Sequence, residues 1–230
     1  MIREMQAALF DLDGVIVDTA KYHYLARKRL AQDYGFDFTE RDNERLKGVS
    51  RMRSLEILLE IGGLQVDETN KQAMADKKND WYIDYISRIN QYDILPGAKE
   101  YLEIIRKRGV KTALGSASKN APMLLERLEI LLLFDVIIDG NKVRKAKPDP
   151  EVFLLAAREL GITPANCVVF EDASAGIEAA LRAGMGSVGI GNRLALINAD
   201  ICVAGLDQLA VLTLEPIQSS FDSRLQFAHF

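Results

Sequence analysis

Two carboxylates, Asp11 and Asp13, stand two residues apart directly after the first apolar run of the chain. If that run is a buried strand, residues i and i+2 leave it on the same face. Gly14 follows and lets the backbone turn sharply. Such a pair can bind a divalent cation, attack an electrophile, or divide the roles of nucleophile and proton carrier. The same spacing is common on solvated loops, so the pair alone leaves both interpretations open.

Further polar residues stand near the predicted ends of later strands, namely Ser116, Lys147, Glu171 and Asp172. Ligands of open parallel sheets bind outside the carboxyl ends of the strands, so these residues are expected to face one site. Ser116 opens a segment that leads into a helix, where a hydroxyl and backbone N–H groups suit a phosphate. Each residue also has an ordinary role: Ser116 could cap a helix, Lys147 could be a surface lysine, and the acids could favour a helix dipole.

The charge of the expected site restricts its chemistry. Four carboxylates would converge there: Asp11, Asp13, Glu171 and Asp172. They would repel one another strongly unless a cation neutralised them. A small set of oxygen ligands favours Mg²⁺, completed by water and substrate phosphate. With Ser116 and Lys147 as donors to phosphate oxygens, the residues indicate phosphoryl transfer through an aspartyl-phosphate.

The elements that must position these residues alternate between strand and helix. Apolar runs predict strands near residues 5–10, 110–114, 136–138, 167–170, 187–190 and 201–203. Helical periodicity separates them, which favours a doubly wound parallel sheet with helices on both faces. Residues 17–93 contain helical patterns and no convincing strand. We therefore predict an α/β core domain of residues 1–16 and 94–230, and a small all-helical cap of residues 17–93. The tail from residue 215 has no clear pattern and could be a short helix or a frayed end.

Composition excludes several other classes of protein. The 230 residues are 48% hydrophobic and 27% charged, with a net charge of -4. This charge gives no general attraction to nucleic acid or to an anionic membrane. The chain has no apolar signal core and no run long enough to span a bilayer. Cys167 and Cys202 stand in apolar contexts and are expected to be reduced, strand-buried thiols of a cytoplasmic protein. A monomer is expected by default.

The order of these motifs resembles the haloacid dehalogenase superfamily of phosphotransferases. The helical insert after the first motif is similar to the small cap of that superfamily. Four segments together resemble its β-phosphoglucomutase family: residues 18–23 (DTAKYH), 46–51 (LKGVSR), 116–120 (SASKN) and 171–177 (EDASAGI). The resemblance runs from about residue 6 to residue 191, and the cap motif is its most discriminating part.

The resemblance implies a role for each core residue. Asp11 is the nucleophile that takes up the phosphoryl group. Asp13 is the general acid and base, and its backbone carbonyl also faces Mg²⁺. The metal ligands are Asp11, Asp13, Glu171 and Asp172. Ser116 and Lys147 balance charge on the transferring phosphoryl group. A second aspartate is not needed for halide displacement, so Asp13 argues against dehalogenation.

The resemblance also implies a set of substrate contacts. They are Thr19, His23, Lys47, Gly48, Val49, Ser50, Arg51, Ser54, Lys78, Ser116, Ala117, Ser118, Lys119, Asn120 and Lys147. Arg51 can hold a second, non-reacting phosphate bidentately, and His23 helps to place Asp13 when the cap closes. Without the resemblance, His23 would be a half-buried helix histidine and Arg51 a surface arginine. Trp81 and Tyr82 are expected in the core of the cap.

The activity implied by the resemblance is the interconversion of β-D-glucose 1-phosphate and glucose 6-phosphate, through β-glucose 1,6-bisphosphate. A sugar-phosphate phosphatase that uses the same aspartyl-phosphate is the alternative, and an inactive phosphosugar-binding regulator is a third possibility. Members of the family often carry a tryptophan where this chain has Arg27. That departure bears on which sugar is bound.

Overall fold

A computed structural model describes residues 5–46 and 49–214. Lys47, Gly48 and the tail from residue 215 lie outside the described residues. The core is one six-stranded sheet in which all neighbouring strands are parallel, in the order β3-β2-β1-β4-β5-β6. Its strands are β1 (Ala7–Phe10), β2 (Lys111–Gly115), β3 (Val136–Ile138), β4 (Cys167–Glu171), β5 (Gly186–Ile190) and β6 (Ile201–Val203). The predicted parallel sheet is confirmed.

The first strand lies in the middle of this sheet because its residues are apolar on both faces. All four residues of β1 are buried, as expected for a strand that is covered by helices on both sides. Phe10 is level with Leu114 of β2 and with Phe170 of β4. The next residue of each strand therefore reaches the same edge of the sheet. That register brings the segments after β1, β2 and β4 together.

Helices cover both faces of the sheet. The helices of the core are α5 (Ala98–Lys107), α6 (Ala121–Arg127), α7 (Glu151–Leu160), α8 (Ser174–Arg182) and α9 (Leu206–Leu214). A hydrophobic cluster lies on each face of the sheet. In one of them, Phe10 and Phe170 stack with ring centroids 4.6 Å apart. Leu9, Phe153 and Val169 belong to the cluster of the other face. Alternate residues of β1 and β4 thus fill two separate hydrophobic layers.

Four helices stand between the first strand and α5: α1 (Ala20–Asp33), α2 (Glu40–Glu44), α3 (Arg51–Gly62) and α4 (Glu68–Ile86). Helices α1, α3 and α4 and the segments on either side of α2 share a hydrophobic cluster that includes Leu30, Phe38, Leu58 and Met74. Side-chain caps begin three of them: Thr39 accepts a hydrogen bond from an N–H of α2, Ser50 from one of α3 and Asp67 from one of α4. The helical character predicted for this segment is confirmed.

Two chain segments connect the helical segment to the sheet, and they lie side by side. Val17 pairs with Asp13 and, antiparallel, with Ile94. The backbone N–H of Leu95 donates to the carbonyl of Ile16 at 2.9 Å. The chain therefore leaves and re-enters the core at one place. The division at residues 16/17 and 93/94 stays a prediction.

Some details differ from the sequence-based expectations. Helices α2 and α9 were not predicted. The sequence pattern predicts a helix over residues 77–86, whereas α4 begins earlier, at Glu68. Cys167 is buried as expected, but Cys202, on the edge strand β6, is only partly buried. Tyr82 is fully buried, whereas Trp81 is only partly so. Within the described ranges, no helix is long and apolar enough to cross a membrane.

A polar network fastens β2 to the turn before β3. The carboxylate of Asp135 accepts hydrogen bonds from the backbone N–H of Thr112 at 2.9 Å and from Arg106 at 3.2 Å. Partial burial by itself would raise the pKa of Asp135. The bond from Thr112 and the charges of Arg106 and Lys111 outweigh burial and lower the pKa. This carboxylate therefore stabilises the fold in its ionised form.

Candidate active site

Three carboxylates meet at the carboxyl edge of the sheet, as the register requires. Oxygens of Asp11, Glu171 and Asp172 all lie within 4.8 Å of one another. Asp11 is 6% exposed, Glu171 is fully buried and Asp172 is partly exposed. The predicted convergence of the segments after β1 and β4 is thus present in the structure.

Lys147 lies between two of these carboxylates. Its Nζ donates to Oδ1 of Asp11 at 2.7 Å and to Oε2 of Glu171 at 2.8 Å. The ammonium is almost completely buried. Burial by itself would lower the pKa of Lys147, but the two carboxylates more than offset it and raise the pKa. Lys147 is therefore a fixed positive charge beside Asp11, not the surface lysine of the ordinary interpretation.

Glycines permit this close packing of acids. A Cβ at Gly176 would lie 2.0 Å from Oε2 of Glu171, and one at Gly14 would lie 2.2 Å from Oδ2 of Asp172. Gly14 also has a φ of +84°, a conformation in which L side chains are strained. The sharp turn predicted at Gly14 is confirmed. The absence of a side chain at Gly14 also leaves room for Asp172, which directly follows β4.

The donor set fits a hard divalent cation. One ammonium does not neutralise three carboxylates, and burial together with the charge of Asp11 raises the pKa of Glu171 to about 7, although Lys147 opposes the shift. A cation would relieve this repulsion, and carboxylate oxygens are the ligands that Mg²⁺ and Ca²⁺ prefer. The side chain of Asp13 is outside this group of carboxylates. Its predicted contribution through the backbone carbonyl stays a prediction.

Asp13 belongs instead to a network at the junction with the helical segment. The hydroxyl of Thr19 donates to its Oδ1, and Nε2 of His23 lies 4.0 Å from its Oδ2. Burial and the charge of Asp11 raise the pKa of Asp13 to about 6, although Thr19 and nearby lysines oppose the shift. Its proton can therefore be held or released near neutral pH, as an acid–base group requires.

His23 is held from its other side. Nζ of Lys78 lies 2.9 Å from Nδ1 of His23, and the ring stacks on Tyr82 with centroids 4.0 Å apart. Burial and the charge of Lys78 lower the pKa of His23. A neutral ring that accepts a hydrogen bond from Lys78 at Nδ1 presents Nε2–H to Asp13. His23 thus does more than fill a helix face.

A cleft of about 1020 Å³, open space at its mouth included, lies between the helical segment and the sheet. It brings together most of the predicted site residues. Those that line it are Asp11, Asp13, His23, Val49, Arg51, Ser54, Lys78, Ala117, Ser118, Lys119, Asn120 and Asp172. Lys47 and Gly48, predicted to contact substrate, lie outside the described residues.

The remaining predicted residues have other positions. Thr19 is fully buried and contacts Asp13. Ser50 caps α3, and Ser116 and Lys147 line a neighbouring cavity together with it. Ser116 is 1% exposed, and its Oγ accepts the backbone N–H of Ser118 at 3.1 Å. Ser116 thus shapes the loop after β2 and does not cap α6.

Several residues that line the cleft were not among the predicted site residues, including Asn79 and also Arg27, which the sequence showed only as a departure from the family's usual tryptophan. Asn79, on α4, accepts a hydrogen bond from the amide of Asn120 at 2.9 Å and so joins the helical segment to the loop after β2. Arg27 is 8% exposed and donates to Asn43 at 2.7 Å and to Ser54 at 2.9 Å. Burial lowers its pKa to about 10. The hydrogen bonds of Asn79 and Arg27 join residues far apart in the chain, and no local pattern in the sequence indicates them.

Three comparisons with known proteins agree with this geometry. The sequence model of the haloacid dehalogenase-like hydrolase family matches residues 5–184. A β-phosphoglucomutase of Bacillus subtilis is 43% identical over 95% of this chain and 96% of its own length. A phosphorylated carbohydrates phosphatase of Thermotoga maritima is 35% identical over 79% of this chain and 82% of its own length.

Solved structures show the same relation. A crystal structure of β-phosphoglucomutase from Clostridium difficile superposes with a TM-score of 0.86 at 45% identity, and the match covers 89% of this chain and 93% of that one. The expected resemblance is confirmed in fold and in sequence. The chain belongs to the haloacid dehalogenase-like hydrolase family and, within it, to the β-phosphoglucomutase family.

Proposed function

We propose that this protein is a β-phosphoglucomutase that interconverts β-D-glucose 1-phosphate and glucose 6-phosphate through β-glucose 1,6-bisphosphate. One observation carries the proposal: a carboxylate centre and a group of basic residues line the same cleft from opposite sides. Asp11 and Asp172 lie on the side of the sheet, whereas Arg51 and Lys78 lie on the helical side. A substrate with a phosphate at each end matches this distribution of charge.

Asp11 is the proposed nucleophile. A carboxylate oxygen of Asp11 attacks phosphorus, and the bond to the sugar oxygen breaks, which leaves an aspartyl-phosphate. Lys147, 2.7 Å from Asp11, offsets negative charge on the transferring group. Ser116, which is buried in the loop after β2 and lines the same cavity as Lys147, is the proposed hydroxyl donor to a phosphoryl oxygen.

Asp13 is the proposed proton carrier. It protonates the sugar oxygen that leaves in one half-reaction and takes the proton of the attacking hydroxyl in the other. The contacts from Thr19 and His23 fix the position of its carboxylate. A pKa raised to about 6 keeps both protonation states accessible during a cycle.

We assign the metal site to Asp11, Glu171 and Asp172, with Mg²⁺ as the ion and the backbone carbonyl of Asp13 as a further ligand. The cluster of three carboxylates supports this assignment. Bound Mg²⁺ would neutralise charge on the phosphoryl oxygens. Lys147 orients Asp11 within the cluster, because its ammonium donates to Asp11 and to the buried Glu171 at the same time.

Arg51 on the helical side and Ser118, Lys119 and Asn120 of the loop after β2 are the proposed contacts of the non-reacting phosphate. The other predicted substrate contacts remain proposals: Thr19, His23, Lys47, Gly48, Val49, Ser50, Ser54, Lys78 and Ala117. The proposed partner is a small sugar phosphate, with no nucleic acid and no membrane. A cytoplasmic monomer remains the expectation.

A sugar-phosphate phosphatase is the second candidate. It uses the same aspartyl-phosphate, but water takes the phosphoryl group instead of a second sugar phosphate. The Thermotoga maritima relative, named a phosphorylated carbohydrates phosphatase, favours this reading. The higher identity to the Bacillus subtilis mutase and the basic side of the cleft favour the mutase.

A product assay tests the choice directly. The protein is supplied with β-D-glucose 1-phosphate, Mg²⁺ and a trace of the bisphosphate, and both glucose 6-phosphate and free phosphate are measured. A mutase forms glucose 6-phosphate in large excess over free phosphate. Free phosphate as the main product would reject the mutase and support the phosphatase. Asp11→Asn is the matched control and should abolish both products.

A further inference from the structure

Arg27 is a charged residue in an unusual place, because it is buried inside the helical segment at the wall of the cleft. The residue lies on α1 and lines the cleft. A buried charge costs free energy unless other groups compensate it. Within residues 5–46 and 49–214, no carboxylate lies within 4.0 Å of its guanidinium. An ion pair of the fold therefore does not account for the positive charge at this position.

Neutral acceptors satisfy only part of the Arg27 guanidinium. An arginine has five N–H donors and no acceptor. Nη1 donates to Oδ1 of Asn43 at 2.7 Å. Nη2 donates to Oγ of Ser54 at 2.9 Å and to the carbonyl of Leu46 at 3.3 Å. Among the described residues, the buried Nε has no hydrogen-bond partner. Since a buried donor without an acceptor is costly, an acceptor on a ligand would stabilise Arg27.

Asn43 and Ser54 add further donors beside Arg27. Both residues are buried and line the cleft. Because arginine can only donate, the oxygen of Asn43 faces Arg27 and the amide NH2 of Asn43 faces away from it. Ser54 also accepts from Arg27 and keeps its hydroxyl proton for another acceptor. In the part of the chain that the structure describes, neither this amide nor this proton has an acceptor. Arg27, Asn43 and Ser54 thus form a donor cluster that suits acceptor oxygens.

The donor cluster lies where the sugar of a bound sugar phosphate is expected. Asp11 and Arg51 are assigned to the two phosphates, and the sugar ring connects these phosphates. The ring therefore lies against lining residues that are assigned to neither phosphate. These residues include the donor cluster and the apolar side chains of Leu30, Leu55 and Leu58. Apolar surroundings strengthen a hydrogen bond and raise the cost of a missing one. The hydroxyl oxygens of the ring are the acceptors that a ligand brings to this position.

We propose that Arg27, together with Asn43 and Ser54, binds a hydroxyl oxygen of the sugar ring and makes the protein selective for sugar phosphates that carry this hydroxyl group. The proposal rests on the proposed function and names the residues that recognise the sugar between its phosphates. The phosphates share the cleft with Arg27 and offset its charge from a distance. A ring without the hydroxyl group leaves the buried Nε–H of Arg27 unpaired and is therefore a poorer substrate.

Deoxy sugars test the proposal on the native protein. The substrates are β-D-glucose 1-phosphate and its 2-deoxy, 3-deoxy and 4-deoxy analogues, each with Mg²⁺ and a trace of glucose 1,6-bisphosphate. The consumption of each substrate gives its kcat/KM. At least one analogue should have a kcat/KM about 10- to 100-fold below that of the parent sugar, as expected for the loss of a hydrogen bond to a charged group. Equal kcat/KM for all four substrates would overturn the proposal.

Replacement of Arg27 tests whether this residue causes the discrimination. Arg27→Met keeps a long, unbranched side chain without donors. Arg27→Trp introduces the residue that relatives often carry, and it keeps the test valid if the first variant fails to fold. In each variant, the ratio of kcat/KM between the parent sugar and the disfavoured analogue should fall at least about fivefold, because only the parent sugar loses a hydrogen bond. Arg41→Met, an exposed arginine on α2 outside the cleft, is the matched control and should keep the native ratio.

The ratio separates sugar recognition from a structural role of Arg27. If Arg27 only holds α1 against α2 and α3, its replacement lowers kcat/KM for all four substrates by one common factor and leaves the ratio unchanged. That result would overturn the proposal. The proposed function fails separately, if the protein releases only free phosphate. The release of free phosphate from the same four substrates then gives the same ratios, and these still decide the role of Arg27.

Discussion

Replacing Lys147 by methionine should expose how much this buried ammonium stabilises the fold. Lys147 makes two charge-assisted hydrogen bonds, at 2.7 and 2.8 Å, to carboxylates that are almost fully buried. Each such bond contributes about 1.5–3 kcal/mol. Removal of one partner of a buried ion pair destabilises by about 3–5 kcal/mol, because the other charge is left without compensation. We expect a loss of that size for Lys147→Met.

The measurement is the free energy of unfolding by urea in the presence of a chelator. Lys145→Met is the matched control, since this lysine of the same loop is 71% exposed and its loss should alter stability by less than about 0.5 kcal/mol. A bound cation would neutralise carboxylates that Lys147 no longer neutralises in the variant, so Mg²⁺ should stabilise the variant more than the native protein.

Two outcomes would refute the reasoning about Lys147. A loss below about 1 kcal/mol would mean that the desolvation of three charges cancels their attraction. Equal stabilisation of both proteins by Mg²⁺ would mean that the carboxylates do not depend on Lys147 for neutralisation. Turnover provides a separate readout and should fall by at least about 10²-fold, as for the loss of one electrostatic donor.

Three further perturbations test other contacts. Asp13→Asn should lower kcat by about 10²- to 10⁴-fold and leave Mg²⁺ affinity, measured by calorimetry, within about threefold. Near-normal kcat would remove Asp13 from its role. Gly176→Ala should destabilise by about 1–2 kcal/mol in urea, because crowding of Glu171 outweighs the gain of about 1 kcal/mol in helix propensity. A more stable variant would show that Glu171 moves freely. Asp135→Asn should cost about 1 kcal/mol at pH 7, allowing for partial exposure. The pKa of Asp135 in the folded protein is lowered from its ordinary value of 3.8. The loss of stability in the variant should therefore be full at pH values above 3.8 and should shrink as the pH falls below 3.8. A loss that is unchanged at pH 3 would contradict the role of the ionised carboxylate.

The sheet was predictable because its strands are short apolar runs in a regular alternation with helices. The bounds of β3 and β6 agree with the sequence-based prediction, and the carboxylates after β1 and β4 meet as the strand-end rule requires. Helix α2 was missed because ERDNE has no apolar periodicity. Helix α9 was missed because its nearly continuous apolar sequence has no alternation that separates helix from strand.

The contacts inside the site were less predictable, for reasons of distance along the chain. Lys147 pairs with a residue 136 positions away, and no local pattern distinguishes it from a surface lysine. Arg27 reaches Ser54 across 27 residues through the packing of α1 on α3. Motif order indicated which residues to expect in the site. The hydrogen bonds and ion pairs between their side chains depend on how the helices pack, which the motifs do not specify.

The paired linkers at Val17 and Ile94 have a consequence for how the fold can vary. Because the chain departs and returns at adjacent backbone positions, the sheet keeps its connectivity whatever the length of the segment between them. Insertions at such a point are tolerated when the flanking backbone keeps its hydrogen bonds. The helical segment is therefore exchangeable in principle: a different insert could cover the same carboxylates and offer them a different substrate, while the strand register that assembles those carboxylates stays intact.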